Sequence, residues 1–214
     1  MFDAVIWDFG GVITSSPFEA FNRYEASNNL PTDFIRKINS TNPDSNAWAK
    51  FERNEITVAE FDTSFAAEAQ ALGHDVRGAD ILACLAGDIR PEMIAVLNSL
   101  KQRGYKLGCI TNNVKTGSGA GMARSQEKAD AIADVMTIFD HVIESSEVGV
   151  RKPDPAIYVM ACEALNVDVT KAVFLDDLGI NLKPARAMGM ATIKVSAAQP
   201  AIDALSELLG HELP

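Results

Sequence analysis

A chain of 214 residues, 47% hydrophobic and 22% charged, has the composition of a globular protein with a sizeable buried core. Its formal net charge of −10 and sequence pI of about 4.7, without any Lys/Arg-rich run, argue against a nucleic-acid partner. No apolar run approaches a membrane span, the opening "FDAVIWD" has no basic signal-peptide region, and Cys84, Cys109 and Cys162 are odd in number, so a cytoplasmic, reducing location is expected.

In chain order, "FDAVIWD" reads as a buried strand running into Asp8. Ser16-Pro17-Phe18-Glu19 reads as a capping box with proline at the first helical position. Thr57-Val58-Ala59-Glu60 is a second box, leading into Phe61, Phe65, Ala69 and Leu72 on one helical face. Between them "NSTNPDSN" reads as a helix-to-helix loop. Residues 15–88 are therefore expected to form an all-helical cap inserted after Asp8, with the core made of residues 1–14 and 89–214. A helical module rooted there would control access to a site.

"RPEMIAVLNSLKQRG" then predicts a helix with Pro91 early and Gly104 as its stop. The strand "YKLGCIT" ends on Thr111, followed by Asn112 and Asn113. "KTGSGAG", residues 115–121, has the wrong spacing for a phosphate-binding G-x-G-x-x-G and reads as a mobile surface loop. "HVIES" is a third strand, and Lys152 lies beyond it in "GVRKPDP", where Asp154 and Pro155 open a helix. "AVFLDD" ends on Asp176 and Asp177, with Asn181 a turn later. "INLKPARAMG", "ATIKV" and "QPAIDALSELLG" complete the pattern. Continuous apolar strands alternating with helices predict an α/β fold, a doubly wound parallel sheet.

In such sheets ligands bind outside the carboxyl ends of the strands, where Asp8, Thr111, Asn112, Lys152, Asp176 and Asp177 would converge. Three carboxylates in one crevice repel one another, and an oxygen-liking divalent cation such as Mg²⁺ removes that cost. A carboxylate nucleophile, a metal, a lysine and a hydroxyl make a site for phosphoryl transfer from a small organic phosphate. Singly, each fragment has a bland account. A strand-terminal Asp caps helices, "TNN" makes turns, and "KPDP" starts a helix. Their joint occurrence at strand ends is what carries the chemistry. His74, His141 and His211 lack any partner at metal or nucleophile spacing and read as surface or capping residues. Trp48, Phe51, Phe61 and Phe65 read as packing residues of the helical segment.

With these motifs in place, and with the long stretches "FDHVIESSEVGVRKPDPAIY" and "VFLDDLGINLKPARAMGM", the sequence resembles the haloacid dehalogenase-like hydrolase superfamily. Within it the chain is most similar to the N-terminal phosphatase domain of soluble epoxide hydrolases and to the corresponding domain of some acyl-CoA dehydrogenase-related proteins. The epoxide hydrolase domain itself is not expected in these 214 residues. The resemblance implies a Rossmann-like core, a helical cap, and Mg²⁺-dependent phosphate ester hydrolysis through an aspartyl-phosphate on Asp8. It implies metal ligation by Asp8, the backbone carbonyl of Gly10 and Asp177, with Asp176 holding a metal-bound water or Lys152. Thr111, Asn112 and Lys152 would contact the phosphate, and Asn181 would organise the acidic loop.

One position departs from that pattern. Phosphatases of the family usually carry an Asp two residues after the nucleophile, as general acid and base, and here Gly10 stands there. Such help is typically worth about 10²–10⁴-fold. A slower enzyme, or one restricted to good leaving groups such as anomeric or acyl phosphates, is therefore expected. Two alternatives stay open: a metal-independent 2-haloacid dehalogenase, and a catalytically impaired domain that binds a phosphate compound or a protein. The sequence carries no signal for an oligomeric state.

Overall fold

The computed structural model describes residues 2–85, 87–113 and 126–214. "KTGSGAG" lies outside the described residues. Its centre is a sheet of five parallel strands: β1 (Ala4–Trp7), β2 (Lys106–Thr111), β3 (His141–Glu144), β4 (Ala172–Asp176) and β5 (Ala191–Lys194). The order across the sheet is β3-β2-β1-β4-β5, so β1 is central. Every residue of β1 is buried, which is why its apolar run is continuous rather than alternating.

The strand pleat divides the core. Val5 and Trp7 face one layer, where α6 (Pro91–Gln102) and α11 (Ala198–Leu209) supply Leu97, Leu100, Ile202 and Leu205. Ala4 and Ile6 face the other, where α9 (Pro155–Leu165) and α10 (Gly179–Ala187) supply Ile157, Tyr158, Leu182 and Ala185. The helix α7 (Gln126–Met136) precedes β3, and the short α8 (Ser145–Val148) follows it. The fold is the doubly wound, Rossmann-like α/β arrangement that the alternating pattern predicts.

Between β1 and α6 lie five helices: α1 (Pro17–Ser27), α2 (Phe34–Ser40), α3 (Ala47–Glu52), α4 (Val58–Ala71) and α5 (Gly78–Leu82). They bury their own apolar cluster, including Phe21, Phe51, Phe61 and Phe65, with Trp48 packed against it. The Phe51 and Phe61 rings stack at 4.7 Å. Thr14 and Ile89 form an antiparallel bridge, flanked by Ser15 N–H to Asp88 O and Arg90 N–H to Ile13 O. The chain thus leaves and rejoins the sheet layer at one place.

The two predicted helix caps behave differently. Thr57 and Glu60 form the complete reciprocal box. Ser16 accepts from Phe18 N–H, but no reciprocal Glu19 contact accompanies it; its hydroxyl instead donates to Asp177, 3.3 Å away. The helix start thus sits against the acidic loop. His74 packs edge-on against Phe34, and His211 Nε2 lies 3.0 Å from the Tyr105 hydroxyl. All three cysteines are buried thiols, and no helix among the described residues is long and apolar enough to cross a membrane.

Candidate active site

The register of the sheet brings the site together. Trp7 pairs with Cys109 on one side and Leu175 on the other, so the carboxyl ends of β1, β2 and β4 are level. Asp8 N–H donates to Leu175 O at 2.8 Å, continuing the ladder by one residue and placing Asp8 beside Asp176. Thr111 closes β2 and is buried, and Asp177 follows β4 at once.

Lys152 is the hub. Its Nζ lies 2.7 Å from Asp8 Oδ1 and 2.8 Å from Asp176 Oδ2, and donates to Ile110 O at 2.9 Å. The side chain is 1% exposed, so three acceptors in water-free surroundings satisfy the ammonium. Asp8 Oδ1 also accepts from Phe9 N–H at 2.7 Å. Asp176 Oδ1 accepts from Leu178 N–H and from Asn181 Nδ2, which also reaches Oδ2. Asn181 is itself tethered through its carbonyl by the Tyr158 hydroxyl at 2.7 Å. Tyr158 is absent from the sequence expectation, because only the packing of α9 against α10 brings it to the acidic loop.

The Asn112 side chain faces the peptide of Lys152. Its Oδ1 accepts from Lys152 N–H at 2.8 Å and its Nδ2 donates to Lys152 O at 3.0 Å. The amide therefore pairs with the lysine peptide as a neighbouring strand would.

Asp8, Asp176 and Asp177 each offer a carboxylate oxygen within 4.8 Å of the others. Burial pushes the Asp8 carboxyl well above its ordinary range, and Asp176 and Asp177 push the same way against Lys152. Burial first, then Asp176, lifts Asp177 to about 6. Burial disfavours the Lys152 charge, but Asp176 and Asp8 outweigh it and hold the ammonium above its ordinary range. Three carboxylates face one ammonium, a donor set of hard oxygens with negative charge in excess. That set fits a divalent cation of the Mg²⁺ type.

The glycines after Asp8 have separate reasons. Gly11 adopts φ +78°, and a Cβ there would lie 2.2 Å from Asp177 Oδ2, so only glycine lets this turn approach the carboxylate. A Cβ on Gly10 would meet nothing within 4 Å. The space beside Asp8 where the family's acid usually projects is open.

A family model described as haloacid dehalogenase-like hydrolase matches residues 2–189. The chain belongs to the haloacid dehalogenase-like hydrolases. This hydrolase is 32% identical over 98% of its length to mouse acyl-CoA dehydrogenase family member 10, and 30% identical over 97% to mouse bifunctional epoxide hydrolase 2. It spans 19% and 39% of those two relatives, a minor part of each. It is also 32% identical to Phosphatase MT3486 of Mycobacterium tuberculosis, with 87% of this chain and 84% of that one covered.

Solved structures share the fold. An HAD-like family hydrolase from Porphyromonas gingivalis superposes with a TM-score of 0.69 at 20% identity, covering 99% of this chain and 100% of that one. An HAD family enzyme from Bacteroides thetaiotaomicron, in complex with magnesium and inorganic phosphate, gives 0.58 at 21%, covering 93% and 96%. A dehalogenase with an intermediate complex gives 0.63 at 15%, covering 100% and 98%.

Proposed function

We propose that this hydrolase cleaves a small organic phosphate ester, with Asp8 as nucleophile and Mg²⁺ as its cation. The observation that carries the reading is the Lys152 bridge between Asp8 and Asp176, with Asp177 completing a carboxylate cluster at the sheet's carboxyl edge. The phosphatase name of the mycobacterial relative and the magnesium and phosphate bound in the Bacteroides structure support it. Asp8, the Gly10 carbonyl and Asp177 would hold the ion, with Asp176 holding a water on it or Lys152. The ion would supply positive charge that offsets repulsion between Asp8 and the phosphoryl oxygens.

This chain's residues then do the following. Phe9 N–H and Lys152 hold Asp8 Oδ1, which presents Oδ2 to phosphorus. Attack forms the aspartyl-phosphate bond and breaks the ester P–O bond, and the departing alkoxide takes its proton from solvent. Water next attacks phosphorus and gives up a proton to solvent, releasing inorganic phosphate and restoring the Asp8 carboxylate. Thr111 Oγ1 and Asn112 N–H accommodate the phosphoryl oxygens beside the positive charge of Lys152, while Asn181 keeps Asp176 in place. No side chain at position 10 protonates the departing oxygen, so substrates with good leaving groups fit best. Residues 15–88 act as the cap over this crevice. The buried thiols suit a reducing, cytoplasmic setting.

Phosphate release from a panel of esters, measured with Mg²⁺ and with EDTA, tests the reading. Release that needs Mg²⁺ supports it; none from any ester, acyl and anomeric phosphates included, overturns it. The open space at Gly10 and the dehalogenase fold neighbour favour a second reading, attack of Asp8 on the carbon of a 2-haloacid. Chloride release in EDTA would establish that one instead.

Gly10→Asp is tolerated, since its Cβ has room, and it accelerates hydrolysis of alkyl esters by about 10²-fold. Acyl phosphates gain less than about threefold, because their leaving groups need little protonation. Equal acceleration of both classes, read from steady-state rates, would remove this account of position 10.

Mg²⁺ affinity depends on pH through Asp177 and through Asp8, whose carboxyl burial also raises. With the Asp177 carboxyl at about 6 in the metal-free protein, affinity falls about tenfold per pH unit below that value, as the proton competes with the ion. The folded-state value lies above the ordinary 3.8, so metal-free stability falls as pH rises between 3.8 and about 6. Calorimetric titration with Mg²⁺ at pH 5, 6, 7 and 8 checks the first trend. A flat profile excludes Asp177 from the ion's ligands.

A further inference from the structure

Besides the Ser16 contact to Asp177, the helical segment meets the loop that carries Lys152 at a buried carboxylate, Glu52, at the end of α3. Glu52 Oε1 accepts from Trp48 Nε1 at 2.9 Å. Its Oε2 lies 2.7 Å from Arg151 Nε and 3.4 Å from Asn112 Nδ2. The Arg151 Nε–H is not aligned along the short contact, so the pair is held by charge rather than by a directed hydrogen bond. Arg151 Nη1 donates to Pro43 O at 2.8 Å, and Ser145 Oγ donates to Glu52 O at 2.7 Å. Burial raises the Glu52 carboxyl above its ordinary range, and Arg151 opposes the shift.

Such a pair is an expensive way to dock two surfaces, because desolvation offsets most of its attraction. Its location accounts for it better. Arg151 immediately precedes Lys152, and Asn112, the other group at Glu52 Oε2, grips both the N–H and the carbonyl of Lys152. Lys152 Nζ must in turn meet Asp8, Asp176 and the Ile110 carbonyl, all between 2.7 and 2.9 Å. We propose that Glu52 is a positioning residue: through Arg151 and Asn112 it fixes the peptide that carries Lys152, so the helical segment sets the aim of the ammonium at the phosphoryl group. The inference rests on the phosphatase reading for its catalytic consequence, but its structural half stands apart from it.

The test uses Glu52→Gln, which keeps an acceptor for Trp48 but loses the charge, and Arg151→Met, which removes the other half of the pair. In both variants Mg²⁺ affinity stays within about twofold of wild type. Inorganic phosphate affinity of the Mg²⁺-loaded protein and kcat each fall about tenfold, as expected for a group displaced from its working geometry. The double variant loses no more than the worse single one, because both act through one contact. Amide exchange over residues 150–152 rises about tenfold or more, while residues 172–177 keep their protection. Unchanged exchange and phosphate affinity overturn the proposal. A parallel loss of Mg²⁺ affinity, phosphate affinity and melting temperature also overturns it, by showing a docking contact alone. A wild type that neither binds phosphate nor hydrolyses esters defeats the functional reading instead, and the exchange result then decides the positioning role.

Discussion

Asp8→Asn abolishes ester hydrolysis, by about 10⁴-fold or more, and leaves the protein at least as stable as wild type without metal at pH 7. The two halves of this result have separate causes. Amide nitrogen and oxygen cannot replace a carboxylate oxygen as nucleophile, and no other described carboxylate occupies its place at the end of β1. Stability behaves differently because burial first, and Asp176 and Asp177 after it, hold the Asp8 carboxyl well above the ordinary range against Lys152. Removing that charge relieves repulsion, and Asn still accepts from Phe9 N–H. Lys152 keeps Asp176 as its counter-charge. Steady-state hydrolysis and a thermal melt in EDTA check both halves. Turnover within tenfold of wild type would show that another group attacks phosphorus.

Lys152→Met has the opposite profile on stability and is equally damaging to turnover. The methionine nearly fills the lysine volume but removes the charge shared by Asp8 and Asp176. Asp176 is fully buried, so losing its only ion-pair partner among the described residues leaves a carboxylate with Asn181 and Leu178 N–H alone. Breaking a buried pair on one side typically costs about 3–5 kcal/mol, and that loss is expected in denaturant unfolding at pH 7 without metal. Lys152→Arg does not rescue, since a forked, planar guanidinium cannot take the place of a point charge converging on three acceptors. Adding Asp8→Asn to Lys152→Met returns part of the stability, because the two groups share one contact. A Lys152→Met loss below about 1 kcal/mol would show that the buried pair with Asp176 adds little to stability.

Much of this was readable beforehand, for reasons that are local. "FDAVIWD", "YKLGCIT" and "AVFLDD" show as strands because both faces of a parallel sheet exclude polar side chains, so the first polar residue marks the strand end. Parallel strands in register then bring such ends to one edge, which is how Asp8, Thr111 and Asp176 meet. Thr57 and Glu60 make their cap from neighbours three residues apart. The Ser16 box looked the same in sequence but lacks the reciprocal Glu19 contact, and its hydroxyl donates to Asp177, distant in the chain. Asn112 showed its strand-end place but not its partner, since an amide serves a phosphate or a peptide equally well.

The order of apolar runs, turns and strand-end carboxylates by itself determined the α/β fold, the edge where chemistry would occur and the excess of acid there. Periodicity and burial act on each segment separately, and they leave their mark residue by residue. Only the tertiary structure decided that Lys152 bridges two aspartates, that Tyr158 tethers Asn181, and that Glu52 of a distant helix holds Arg151. Those contacts join segments far apart in the chain, and a side chain's partner across such a distance depends on how whole layers pack.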